Sequence, residues 1–134
     1  MGVSVTTQTA PYVDNLVVDV DADESPENDV LSGPCTVFIF DIDNSNNIVP
    51  AYGKFFDATS ITLDGTSSST EPELILLCPK QTRQTVTITG FAGNGATADG
   101  IPFFTGLTFA CTSGAETTSN SGVQNPVTIR IMAE

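Results

Sequence analysis

Apolar and polar residues alternate with a period of two along most of this chain, and no window carries the three- and four-residue spacing of an amphipathic helix. In "VTIRIM", Val127, Ile129 and Ile131 fall on one side, with Thr128, Arg130 and Met132 on the other. In "GLTFACT", Leu107, Phe109 and Cys111 share a face, and "QTVTIT" points Val86 and Ile88 inward and its threonines outward. Runs of Val, Ile, Thr and Phe cut by Gly, Pro, Asn and Asp predict strands at 2–7, 16–20, 35–42, 51–57, 74–79, 84–89, 106–112 and 127–132. About eight short strands joined by turn-rich loops define an all-β class: an antiparallel β-sandwich, jelly-roll-like or immunoglobulin-like.

One run breaks the simple alternation. In "CTVFIFDI", Cys35, Val37, Ile39 and Asp41 face one way and Thr36, Phe38, Phe40 and Ile42 the other, so both faces are apolar. That predicts a central strand covered on both sides, with a second subunit as one possible cover. Segments 43–50, 62–73, 93–102 and 113–126 read as polar loops. The expected division is an acidic N-terminal arm with the first strands over 1–30, packing on a neighbouring subunit, and a β-sandwich domain over 31–134.

Charge narrows the partners. The chain has 134 residues with 16 acids, 4 bases and no histidine, a net charge of -12. Nucleic-acid phosphates are gripped by clustered Lys and Arg, whereas Lys54, Lys80, Arg83 and Arg130 are scattered, so no nucleic-acid partner is expected. An anionic membrane surface is disfavoured for the same reason, and no run approaches the length of a spanning segment. The N-terminus lacks the pattern of a secretory signal; "MGVSVT" fits only the loose acylation pattern.

Catalytic constellations are missing from the sequence. Without histidine, Ser and Cys lack their usual base. Most acids lie in polar loops, where their pKa values are expected to stay low, and no tryptophan offers a sugar platform. Cys35, Cys78 and Cys111 have no zinc spacing and read as small buried hydrophobes. The expectation is a protein without enzymatic activity and without a cofactor.

The stretch "DVDADESPEND" is the one motif with metal-like character, since Asp19, Asp21 and Asp23 alternate as calcium ligands do. An EF-hand is excluded, because its Gly position is Glu24, its Glu position is Val30, and no helices flank it. Two readings stand: a looser calcium site on Asp19, Asp21 and Asp23, or a solvated connector whose charges discourage edge pairing. "FDIDNSNN" poses the same choice, and its Asp and Asn residues read as a turn.

From residue 30 onward the order of segments resembles small structural proteins of the virions of tailed phages, marine and cyanobacterial ones especially. The resemblance is carried by the strand entry Ser32 to Pro34, the turn Asp43–Asn44, the strand Tyr52 to Asp57, the strand start Pro72 to Leu74, the segment Gly100 to Leu107 and the final strand Val127 to Met132. It implies a capsid decoration or cement protein on the virion exterior, bound to the major capsid protein and to itself as a dimer or trimer. The alternative it implies is a head-fibre or tail-associated module that binds a host-surface glycan. Interface positions under this reading are Val3, Val5, Tyr12, Val13, Phe38, Phe40, Phe103 and Phe104.

Overall fold

A computed structural model describes residues 2–7, 14–65, 70–88 and 100–134. Among them lie nine strands: β1 (Val3–Thr7), β2 (Asn15–Ala22), β3 (Cys35–Asp43), β4 (Ala51–Asp57), β5 (Leu74–Cys78), β6 (Arg83–Thr87), β7 (Ile101–Phe103), β8 (Leu107–Thr112) and β9 (Val127–Ala133). They form two antiparallel sheets packed face to face, an antiparallel β-sandwich. The larger sheet runs β1-β2-β9-β3-β6, with β7 also on β3, and the smaller runs β5-β4-β8. β6 and β7 share one side of β3: β7 pairs with Cys35–Val37 and β6 with Ile39–Asp43.

The core is built from the faces that alternation predicts. Val127, Ile129, Ile131, Leu107, Phe109 and Cys111 are all fully buried. Phe40 of the larger sheet meets Phe55 of the smaller with ring centroids 4.5 Å apart, and Phe55 continues to Phe109 at 6.1 Å. Tilted aromatic pairs of this kind add about 1 kcal/mol beyond the burial of their area. Gly53 lets β4 lie close over β3, because a Cβ there would stand 2.6 Å from the Cδ1 of Ile42.

Three expectations are corrected by the structure. First, β3 does not show two apolar faces to two covers. Its pairing with β9 slips between Val37 and Ile39. Cys35 and Val37 point into the core before that slip, and Phe40 and Ile42 after it. A bulge adds one residue and reverses the parity of everything beyond it. Second, 101–103 is strand rather than loop. Pro102 is accepted opposite Thr36 because β7 is a short edge piece with no ladder bond required of the missing N–H. Gly100, at φ 93°, turns the chain into β7 where a Cβ would meet the carbonyl oxygen of Val37 at 2.8 Å.

Third, the segment 1–30 is not set apart from the sandwich. β2 lies between β1 and β9, and Val17 and Ala22 belong to the main core cluster. Beyond β2 the acidic stretch crosses to the smaller sheet and runs antiparallel along the free side of β8. The N–H of Cys111 donates to the carbonyl of Asp23 at 2.8 Å, Glu27 and Phe109 exchange two backbone bonds, and the N–H of Val30 donates to Leu107. The connector therefore closes a sheet edge with its backbone, while Glu24 and Ser25 face solvent.

Candidate functional site

Polar groups converge at four places. The first is the start of the acidic connector. Asp19 follows Val17 by two residues on the inward face of β2 and is 0% exposed. Its Oδ1 accepts the N–H of Asp21 at 3.1 Å, and its Oδ2 is the only buried side-chain polar atom among the described residues without a partner. Burial, then the adjoining Asp21 and the charge of Glu27, push the Asp19 carboxyl up to about 7. The interaction with the Asp19 side chain holds Asp21 low, as does the Gly2 N–H, 2.8 Å from Asp21 Oδ1. Glu27 is also raised, by burial first and then by Asp21 and Asp23. Most acids are expected to keep low pKa values, and Asp19 and Glu27 depart from that.

Among the described residues no three Asp, Glu, Cys or His side chains gather where they could hold a metal ion. Asp19 turns into the fold, Asp21 turns to Gly2, and Asp23 caps the N–H of Ser25 at 2.8 Å. Three alternating acids at a strand end thus diverge: β2 slips against β9 between Asp19 and Ala22, so their faces no longer alternate regularly.

The second place is the outer face of the smaller sheet. Lys54 is 0% exposed, and its Nζ donates to the backbone carbonyls of Glu116 at 2.5 Å and Ser119 at 3.2 Å. Burial lowers its pKa, with Glu116 and Cys111 working against the shift. The loop that follows β8 is thereby clamped over β4. Its Thr118 carbonyl also accepts the N–H of Gly65 at 3.0 Å, so two polar loops meet. Between them lies a hollow of about 250 Å3 lined by Gly65, Glu116, Thr118, Ser119, Asn120 and Ser121.

A buried amide cluster forms the third. Asn44 Nδ2 donates to the carbonyls of Val49, Cys78 and Pro79, and Asn47 Nδ2 donates to Asn44 Oδ1 at 2.7 Å. Asn47 continues to the backbone of Asn125, and Asn125 Nδ2 reaches the carbonyl of Asn46 at 2.9 Å. In "FDIDNSNN", Asp43 Oδ1 accepts the N–H of Ser45, the turn its composition predicts.

On the outer face of the larger sheet, Asp41 of β3 stands directly between Thr85 of β6 and Arg130 of β9. Arg83 Nε lies 3.0 Å from both its oxygens, Arg83 Nη2 adds a contact at 2.9 Å, and Thr85 donates at 2.6 Å. Burial alone would raise Asp41, but Arg83, Thr85 and Arg130 outweigh it and hold the carboxyl low. Two of the chain's bases are committed here.

The interface positions separate sharply. Phe40 and Phe103 are 0% exposed and lie within the chain's own core, so neither presents a surface to another subunit. Phe38 is half-buried at the β3 bulge. Val3 packs against the core from the edge strand β1, and Val5 is 44% exposed beside it. Phe104 is 75% exposed. Its turn is pinned by Asp57, whose Oδ1 accepts the N–H groups of Thr105 and Gly106 at 2.6 and 3.3 Å. Tyr12 and Val13 lie outside the described residues. All three cysteines are free and buried, and burial raises the thiols of Cys35 to about 11 and Cys111 to about 12.

Sequence reasoning missed Lys54 as a clamp and Asn47 and Asn125 as a pair. For Lys54 the signal was present, because a lone lysine between Gly53 and Phe55 sits in an otherwise uncharged stretch of strand. No family model, curated protein or solved structure matches this chain.

Proposed function

We propose that this protein is a structural virion component: a decoration protein that binds the outside of a tailed-phage head and stabilises contacts between capsomers. Its partners are the major capsid protein and further copies of itself, and its place is the virion exterior. The observation that supports this reading is the commitment of buried polar groups to fixing surface loops. Lys54 holds the 113–121 loop by its carbonyls, and Asn47 holds the 124–126 segment. A cement protein acts through a surface of persistent shape, and loops tied to a β-scaffold supply one. The resemblance of segment order to virion proteins points the same way. Co-sedimentation with capsids stripped of decoration protein tests it: saturable binding insensitive to EDTA is expected, and failure to bind any assembled head would overturn it.

A second reading, a head-fibre or tail-associated module for a host-surface glycan, is favoured by the hydroxyl- and amide-lined hollow where Gly65 and Thr118 meet. It predicts binding to host cells that Asn120→Ala and Ser121→Ala abolish together, with capsid binding unaffected. Undiminished cell binding by that double variant would remove it.

A further inference from the structure

The smaller sheet has two sides of unequal character. On one, the backbone of 23–30 closes the edge of β8. On the other, nothing among the described residues pairs with the far side of β5. β5 reads "LILLC", without a charge of either sign, and proline stands beyond it at Pro72 and Pro79. Natural sheets protect such an edge with Lys, inward charge or proline within the strand, and β5 carries none of these.

Exposed apolar side chains occur on β5 and on the segment before its neighbour β4. Of six large hydrophobic residues exposed among those described, Leu77 (49%) lies on β5, and Ile48 (62%) and Val49 (39%) lie in the segment that leads into β4. The carbonyls of Val49 and Cys78 both accept from Asn44 Nδ2, which fixes the two segments side by side. Leu77 pairs with Tyr52 on the outer face, and Tyr52 is itself half-buried.

The flanks of β5 indicate what covers it. Exposed Glu71 and Glu73 precede the strand, and exposed Lys80 follows it. An antiparallel copy of the same segment brings the acidic end of each strand beside the basic end of the other. A parallel neighbour would set like charges together. At a net charge of -12, two copies repel across most of their surfaces, and this uncharged strand has ends where opposite charges of two antiparallel copies meet.

We propose that β5 is the self-association edge of this protein. Two copies pair their β5 strands antiparallel about a two-fold axis perpendicular to the sheet, making one six-stranded sheet from two three-stranded ones. Such an axis keeps each face on its own side, so Leu77 of both copies comes to the same outer face. The inference rests on the self-association in the function proposed above and assigns it to β5 rather than to β1.

Sedimentation velocity over the micromolar range tests this with the full chain. The wild type is expected to be a dimer. Leu77→Lys should weaken the dimer roughly tenfold or more while leaving the circular dichroism and the unfolding midpoint unchanged. Glu73→Lys and Lys80→Glu should each weaken it, and the two together should restore it, an outcome that misfolding cannot mimic. Val5→Lys on β1 should have no effect. A dimer that survives Leu77→Lys and is lost in Val5→Lys overturns the β5 assignment and leaves self-association standing. A wild type that stays monomeric throughout overturns both.

Discussion

Asn47 and Asn125 exchange hydrogen bonds across the end of the sandwich: Asn47 Nδ2 donates to the Asn125 carbonyl at 2.9 Å, and the Asn125 N–H donates to Asn47 Oδ1 at 2.6 Å. The side chain of Asn47 thus imitates a strand neighbour for a loop 78 positions away. The same Nδ2 group binds Asn44 Oδ1, and Asn44 in turn holds the ends of β4 and β5 through the carbonyls of Val49 and Cys78. One chain of amides therefore joins the loops before β4, after β5 and before β9.

Replacing Asn47 with alanine should be costly for that reason. It strands the Asn125 N–H and Asn44 Oδ1 in a site where Asn47 is 1% exposed. A buried group left unpaired costs about 1–3 kcal/mol, and water can reach the exposed Asn125, so a loss of roughly 2 kcal/mol is expected in urea denaturation. Asn46→Ala, at an exposed position whose contribution to the cluster is its backbone carbonyl, should change stability by less than about 0.5 kcal/mol. Similar midpoints for the two variants would contradict the role of the amide chain.

Asp19 predicts an unusual pH dependence. Its folded pKa is about 7 against an ordinary 3.8, so the fold binds a proton that the unfolded chain releases. The stability it contributes is complete below pH 3.8 and is lost as pH rises toward 7 and beyond. Asp19→Asn keeps the shape and the Oδ1 acceptor and stays uncharged at every pH. The variant should be more stable than wild type at pH 8, with the advantage shrinking toward pH 4. An Asp19→Asn midpoint lower than wild type at pH 8 would show that the carboxylate is needed there.

Asp41 predicts the opposite sign. Its carboxyl is held low by Arg83, Thr85 and Arg130, so its contribution is present above its ordinary value and is lost as pH falls through the folded one. Asp41→Asn should cost about 1–2 kcal/mol near neutrality, a figure kept small because Arg83 is 55% exposed and solvent screens it. The difference from wild type should vanish in strong acid. A pH-independent difference between the two proteins would assign the effect to packing instead of charge.

The fold class was legible because β8 and β9 alternate without interruption, and a period of two has one structural meaning. The faces of β3 were not legible. One bulged residue near Phe38 moves Phe40 and Ile42 into the core, and local sequence does not mark where a ladder slips. The acidic connector misled for another reason: its side chains are charged, yet the bonds that pin it to β8 belong to its backbone, which every residue but proline supplies. Asn125 could not be matched to Asn47 because the contact depends on where two distant loops end. Asp19 was missed although a signal was present, since it lies two residues from Val17 and so shares its face of β2.

Phe103 and Phe104 adjoin in sequence and part in role, which separates folding from contact in a single experiment. Phe103 is 0% exposed in the core opposite Cys35, while Phe104 is 75% exposed on the turn held by Asp57. Phe103→Ala should lower stability by about 3–5 kcal/mol. Phe104→Ala should leave the unfolding midpoint within about 0.5 kcal/mol, because little of the ring is buried. An exposed aromatic on a pinned turn loses little conformational entropy when covered, the property of an interface anchor. Under the decoration reading, Phe104→Ala should therefore weaken co-sedimentation with capsids roughly tenfold at unchanged stability. Undiminished capsid binding would move the contact surface away from the Asp57 turn.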